Sequence, residues 1–159
     1  MKMTTTNLRR LYATIRSLSV LVSFQIMTDF ISPALWVLYE PTSVISKVAT
    51  LASSPTALAV VWIASALAVF PFVFMQAFIP ACRYRRVIMK MANYGMIGGA
   101  LVWVFMSFLS RNLDYEFAMW NFIFNAITSL AMAAIIANSL NNDQKEKQTE
   151  AEGEVLHET

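Results

Sequence analysis

The chain has 159 residues, 57% of them hydrophobic and 14% charged, with a formal net charge of +2. Soluble domains average about 25% charged residues, so an ordinary soluble domain is excluded and the membrane class is indicated. A single cysteine, Cys82, and a single histidine, His157, exclude an intrachain disulfide framework or a Cys/His zinc site, and no cofactor is expected.

The first sixteen residues hold Lys2, Arg9, Arg10 and Arg16, with Leu8, Leu11, Tyr12 and Ile15 spaced on one helix face. Such a segment suits the inner membrane surface and leads, uncleaved, into a first span over Ser17 to Tyr39. That span carries Asp29 near its middle and Pro33 one turn later. In the following loop, Glu40 to Thr56, Val44, Ile45, Val48, Leu51 and Ala52 share a helical face and Pro41 suits a helix start. A short helix lying on the outer surface is therefore expected, with Ser54 and Pro55 as N-cap and first position of the next helix.

From Ala57 to Pro80 the chain runs 24 residues without a charged side chain. At a rise of about 1.5 Å per residue this second span reaches roughly 36 Å, more than the ~30 Å hydrocarbon core of a bilayer. Pro71 removes a backbone donor within it, and Phe70, Phe74 and Phe78 recur every four residues, a stripe suited to packing against neighbours or lipid. The third span, Met91 to Ser110, holds three of the four glycines. Gly95 and Gly99 form a GxxxG pair, a spacing that lets helix backbones approach closely in lipid. Either packing within the bundle or a homodimer, or contact with another membrane protein, would use that face. A fourth span covers Phe117 to Asn138, and residues 141–159, with six acids and two lysines, read as a charged cytoplasmic tail that is disordered except where part of it is helical.

Orientation follows from charge. Positive residues beside a span stay cytoplasmic, and ten of the twelve basic residues fall in the segments this threading puts inside, leaving only Lys47 and Arg111 outside. The expected fold is thus all-α: an integral membrane bundle of four transmembrane helices over residues 1–140, with N and C termini cytoplasmic. Trp36, Trp62, Trp103 and Trp120 all fall in the outer halves of the spans, which agrees with the preference of Trp for membrane interfaces. No N-x-[ST] sequon occurs, which fits a bacterial inner membrane.

Chemistry in the spans centres on Asp29, the one acidic or basic side chain inside any of them. Burying it near a helix centre costs about 2.5 to 3.5 kcal/mol, so it is expected to face the bundle or a wet cavity. Gln25, Ser32 and Trp36 share its helix face, and Pro33 frees the Asp29 carbonyl of its usual helical donor. Counting from the outer ends at about 1.5 Å per residue, Asn125 and Thr128 of the fourth span and Ser65 of the second lie at comparable depth. A polar cluster of Asp29, Gln25, Asn125, Thr128 and Ser65 is the candidate substrate or ion site, with interhelical hydrogen bonding as its structural counterpart. Arg83, Arg85, Arg86 and Lys90, in a basic loop between the second and third spans, could meet lipid head groups, although topology alone accounts for them. Nucleic-acid binding has no support beyond those charges.

No Ser/His/Asp or Cys/His set, paired carboxylates or glycine-rich phosphate loop lies in the spans, so no enzyme signature is present. The sequence points to a non-catalytic integral membrane protein acting as an accessory, immunity or exclusion, or interaction factor. The alternative is a small proton- or cation-coupled transporter or channel that uses Asp29.

Overall fold

A backbone in hydrocarbon must satisfy its own hydrogen bonds, which only helices and closed barrels achieve, and the long apolar runs take the first solution. The computed structural model describes residues 5–79, 83–113 and 115–157, with side chains for 14–15, 17–79, 83–113 and 115–142. The side chains of Leu8, Leu11, Tyr12, Pro80 and Cys82 and the charges of the tail lie outside those described. Five α-helices follow in order: α1 (Thr5–Tyr39), α2 (Val44–Ala49), α3 (Pro55–Phe78), α4 (Arg85–Ser110) and α5 (Glu116–His157), with a short 3-10 turn at Arg111–Leu113. No strand occurs among the described residues.

Four helices are long and apolar enough to cross a membrane, over Ser17–Tyr39, Pro55–Phe78, Arg85–Leu113 and Glu116–Asn142. The protein is an all-α bundle of four membrane-spanning helices. Ser54 caps α3 as its sequence suggests, its Oγ accepting the Ala57 N–H at 3.3 Å, with Pro55 at the first position. Two boundaries differ from the sequence reading. α4 begins at Arg85, six residues before Met91, so the basic stretch belongs to the helix. α5 continues through Asn141 to His157, so helix extends into the charged tail, as its helix-forming residues allow. Gln, Glu, Lys and Ala are strong helix formers, and extending an existing helix avoids the cost of a new nucleus.

α4 is the centre of the bundle. It packs along its length against α3 on one side and α5 on the other, while α1 packs on α3 and meets α5 over a few residues only. Three helix seams are tight and the fourth, between α1 and α5, is loose. Eleven α4 residues are buried against seven of α3, which is what a helix enclosed from two sides requires. At the Trp62 end of the bundle, Trp62, Trp103 and Phe122 link α3, α4 and α5, with ring centroids 4.8 Å apart for the Trp pair and 5.3 Å for Trp103 and Phe122. Trp62 and Trp103 are fully or almost fully buried. The interface explanation therefore applies to the exposed Trp36 and Trp120 alone, because aromatic bulk in the other two fills the core. Phe70, Phe74 and Phe78 form an exposed ladder along α3, with centroids 6.5 and 5.0 Å apart.

The short helix expected in the loop after α1 is α2, and one side of it packs into the bundle. Val48 and Ala49 are fully buried, Val44 and Leu51 are exposed, and the helix starts after Ser43 rather than at Pro41. Polar bonds hold it there. Ser43 Oγ accepts the Ser46 N–H at 3.1 Å, and the Ser46 hydroxyl lies 2.7 Å from the Trp36 carbonyl and 2.6 Å from that of Glu40. Those two carbonyls already accept the Glu40 and Ser43 N–H groups, at 2.9 and 3.2 Å, so Ser46 adds a second bond at the end of α1 and ties α2 to it.

Glycine sets how closely α4 can be approached. A Cβ on Gly95 would come 2.8 Å from both the Ala68 Cβ and the Ser65 carbonyl oxygen of α3, and one on Gly99 would fall on the ring of Phe30 from α1. The GxxxG face is thus occupied within the chain, by α3 and by Phe30, and the same surface is not left free for a second copy. Gly98 differs, since its nearest neighbour would be the Ser65 Oγ at 3.3 Å. Gly95→Ala is expected to destabilise the bundle by about 1 to 3 kcal/mol, because backbone on α3 must move. Gly98→Ala is expected to be neutral or to gain up to about 1 kcal/mol from helix propensity. Thermal unfolding in detergent measures both, and equal losses at the two positions would contradict the close α3–α4 approach.

Candidate functional site

α1 supplies the acid. Its buried face is Ser23, Ile26, Met27, Phe30, Pro33 and Ala34, and Asp29 lies at the edge of that face, half-buried, with Gln25 exposed one turn before it. The spacing of four residues brings the two side chains together on one helix face. Gln25 Nε2 donates to Asp29 Oδ1 at 2.9 Å, and Thr28 Oγ1 donates to the Gln25 carbonyl at 2.7 Å. Pro33 has no N–H to give the Asp29 carbonyl, so acidic side chain and altered backbone coincide in one turn.

The other members of the expected cluster are placed elsewhere. Thr128 Oγ1 donates within α5, lying 3.1 Å from the Phe124 carbonyl and 3.0 Å from that of Asn125. Ser129, which the sequence reading passed over, is buried and donates to the same Asn125 carbonyl at 2.8 Å. Hydroxyls that bond back to the preceding turn are self-satisfied in lipid and need no second helix. Asn125 is half-buried, and Ser65 is buried in the α3–α4 seam against the glycine face. Among the described residues, no hydrogen bond links Asp29 to Asn125, Thr128 or Ser65. Only the Gln25–Asp29 pair is joined. Three further buried polar atoms on α1, α3 and α4 lack partners: Ser23 Oγ and the indole nitrogens of Trp62 and Trp103.

A second polar region lies at the opposite end of α4. Because the helix starts at Arg85, Arg86, Lys90 and Asn93 fall at i, i+4 and i+7 on one face. Together with Tyr94 they line a pocket of about 220 Å³ whose other wall is Ala137, Leu140 and Asn141 of α5. Asn93 is half-buried, and its Oδ1 is closed off without a hydrogen-bond partner. Arg83 and Arg85, named with Arg86 and Lys90 from sequence, are exposed and lie outside this lining. The sequence signal for Asn93, Tyr94 and Asn141 was the helical spacing itself, hidden while the basic stretch was read as a loop.

Among the described residues, no three His, Cys, Asp or Glu side chains group as metal ligands. Compared with protein-family models, curated proteins and solved structures, the chain matches none.

The geometry changes what Asp29 substitutions should do. A polar cluster bonded across the bundle would make Asp29→Leu cost about 1 to 3 kcal/mol through stranded partners. Here Thr128 is already satisfied and Gln25 is exposed, so Asp29→Leu is expected to cost less than about 1 kcal/mol, with insertion into the membrane improved. Thermal unfolding of Asp29→Leu and Asp29→Asn in detergent checks this, and a loss above about 2 kcal/mol for Leu alone would show that Asp29 bonds a second helix.

Proposed function

We propose that this chain is a non-catalytic membrane protein that works by contact with another membrane protein, as an accessory, immunity or exclusion, or interaction factor. The observation that carries the reading is the Gln25–Asp29 pair. Mid-span, half-buried, and hydrogen-bonded only within its own turn among the described residues, Asp29 retains acceptor capacity that lipid cannot satisfy. A polar side chain or backbone donor on a partner's membrane helix would satisfy it, and an intramembrane acid that pairs in this way marks a functional contact. The loose α1–α5 seam supports the same reading, since it is the side of the bundle with least internal packing to lose. In this reading both ends of the four-span unit lie in the cytoplasm, from the division of basic residues, and the membrane is a bacterial inner membrane.

Coupled transport of a proton or cation is a second reading, favoured by the coincidence of Asp29 with the proline-altered backbone at Pro33. The two separate experimentally. A photocrosslinker placed at Gln25 or Ser32 in native membranes is expected to trap one defined protein, and the same probe at the exposed Phe124 of α5 to trap lipid. Asp29→Leu should abolish the protein adduct. No adduct at either α1 position, together with Asp29-dependent flux in proteoliposomes, would replace the contact reading with transport.

A further inference from the structure

From the Arg86–Lys90 pocket between α4 and α5 we infer a binding site for the phosphate head group of an anionic phospholipid. Three observations of different kinds converge on it. Charge comes first: Arg86 and Lys90 line one wall, and none of the seven lining residues is acidic. An arginine offers a planar fork of donors to phosphate oxygens, and a lysine adds a compact ammonium one turn deeper.

The second observation is the unpartnered amide of Asn93, one turn below Lys90 in the same lining. A closed-off amide oxygen without a partner is costly; as it stands the amide offers its N–H₂ to a phosphate or ester oxygen in the pocket, and turned over it brings the oxygen out to accept from a ligand hydroxyl, which relieves that cost. Free phosphate has no use for a group this far along the helix, whereas a glycerol backbone follows a phosphate by one or two bonds. Tyr94 and Asn141 add polar lining.

Shape is the third. From Arg86 to Tyr94 the lining follows α4 for about 12 Å, from its basic start toward the apolar part of the span. Ala137 and Leu140 provide apolar wall on α5, and beyond Asn93 the side chains of Tyr94 and Leu101 are exposed along one flank of α4. An amphiphile fits that gradient, with phosphate at Arg86 and Lys90, glycerol at Asn93 and acyl chains deeper in the span, over Leu101. Tyr84, at the N-cap of α4, makes no side-chain cap hydrogen bond, and the positive end of the helix dipole favours an anion at this end. The site is distinct from Asp29, which lies on α1, and stands whether or not the contact reading above holds.

The full chain, purified in mild detergent, is followed by its melting temperature as phosphatidylglycerol, phosphatidylcholine or inorganic phosphate is added. Phosphatidylglycerol should raise the transition, and the other two should not. Arg86→Gln combined with Lys90→Gln should raise the half-saturating lipid concentration by about tenfold or more, while Arg83→Gln combined with Arg85→Gln, the same change in charge, should shift it by less than about twofold. Ala137→Phe keeps every charge and fills the pocket from α5, so it should weaken the response as the first pair does and decides the matter if that pair fails to fold. An equal response to phosphatidylcholine, or equal losses in the two double variants, would reduce the site to diffuse surface charge. A full response to inorganic phosphate would make it a free-anion site and overturn the lipid assignment.

Discussion

The bundle depends on how closely α3 and the ring of Phe30 can approach α4. In lipid no hydrophobic effect drives helices together, so association rests on van der Waals contact, and contact is greatest where side chains are smallest. Gly95 lets the α3 backbone at Ser65 meet α4, and Gly99 receives Phe30, which is fully buried. Phe30 thereby reaches across from α1 to α4 and ties the first span to the central helix. The aromatic group of Trp62, Trp103 and Phe122 fills the space that opens toward the other end.

With α4 fixed, the remaining polar groups divide by whether they can be satisfied locally. Thr128, Ser129, Ser107 and Ser110 each bond to a carbonyl of the preceding turn, and Ser46 bonds to the end of α1. These hydroxyls are satisfied without bonds to a second spanning helix. Asp29 does not follow that rule, since a carboxylate cannot donate to its own helix and one amide from Gln25 uses only part of its capacity. Asn93, at the far end of the bundle, is another exception, and Ser23 Oγ and the indole nitrogens of Trp62 and Trp103 are enclosed in the core without partners. Asp29 is half-buried and Asn93 lines the pocket between α4 and α5, so these two side chains lie where a group from outside the chain can reach, one toward a helix and one toward a head group.

Much of the fold was legible because bilayer thickness acts directly on composition: charge-free runs of helical length, such as the one from Ala57, have few alternatives. The Ser54–Pro55 start of α3 was legible for the same local reason that any cap is. What pattern could not reach was decided between helices. Equal depth of Asp29, Asn125 and Thr128 suggested a cluster, but depth fixes only one coordinate, and rotation about each helix axis decides the bonds. Trp62 and Trp103 share the level of an interface belt yet face inward, which hydropathy cannot distinguish. The basic stretch Arg83 to Lys90 looked like a loop because charge ends a hydropathy window, although charge does not end a helix; that error concealed the face shared by Arg86, Lys90 and Asn93.

The seating of Phe30 on Gly99 is the claim from which the arrangement of α1, α3 and α4 follows, and a double-mutant cycle tests it most directly. Stability in detergent is measured for Phe30→Ala, Gly99→Leu and the two together. If the ring occupies the space that glycine leaves, the new Leu side chain can enter the volume vacated by Phe30, and the double variant should be about 1 to 3 kcal/mol more stable than the sum of the single losses predicts. Losses that add to within about 0.5 kcal/mol would show that the two residues do not meet, and would contradict the reach of Phe30 from α1 to the central helix.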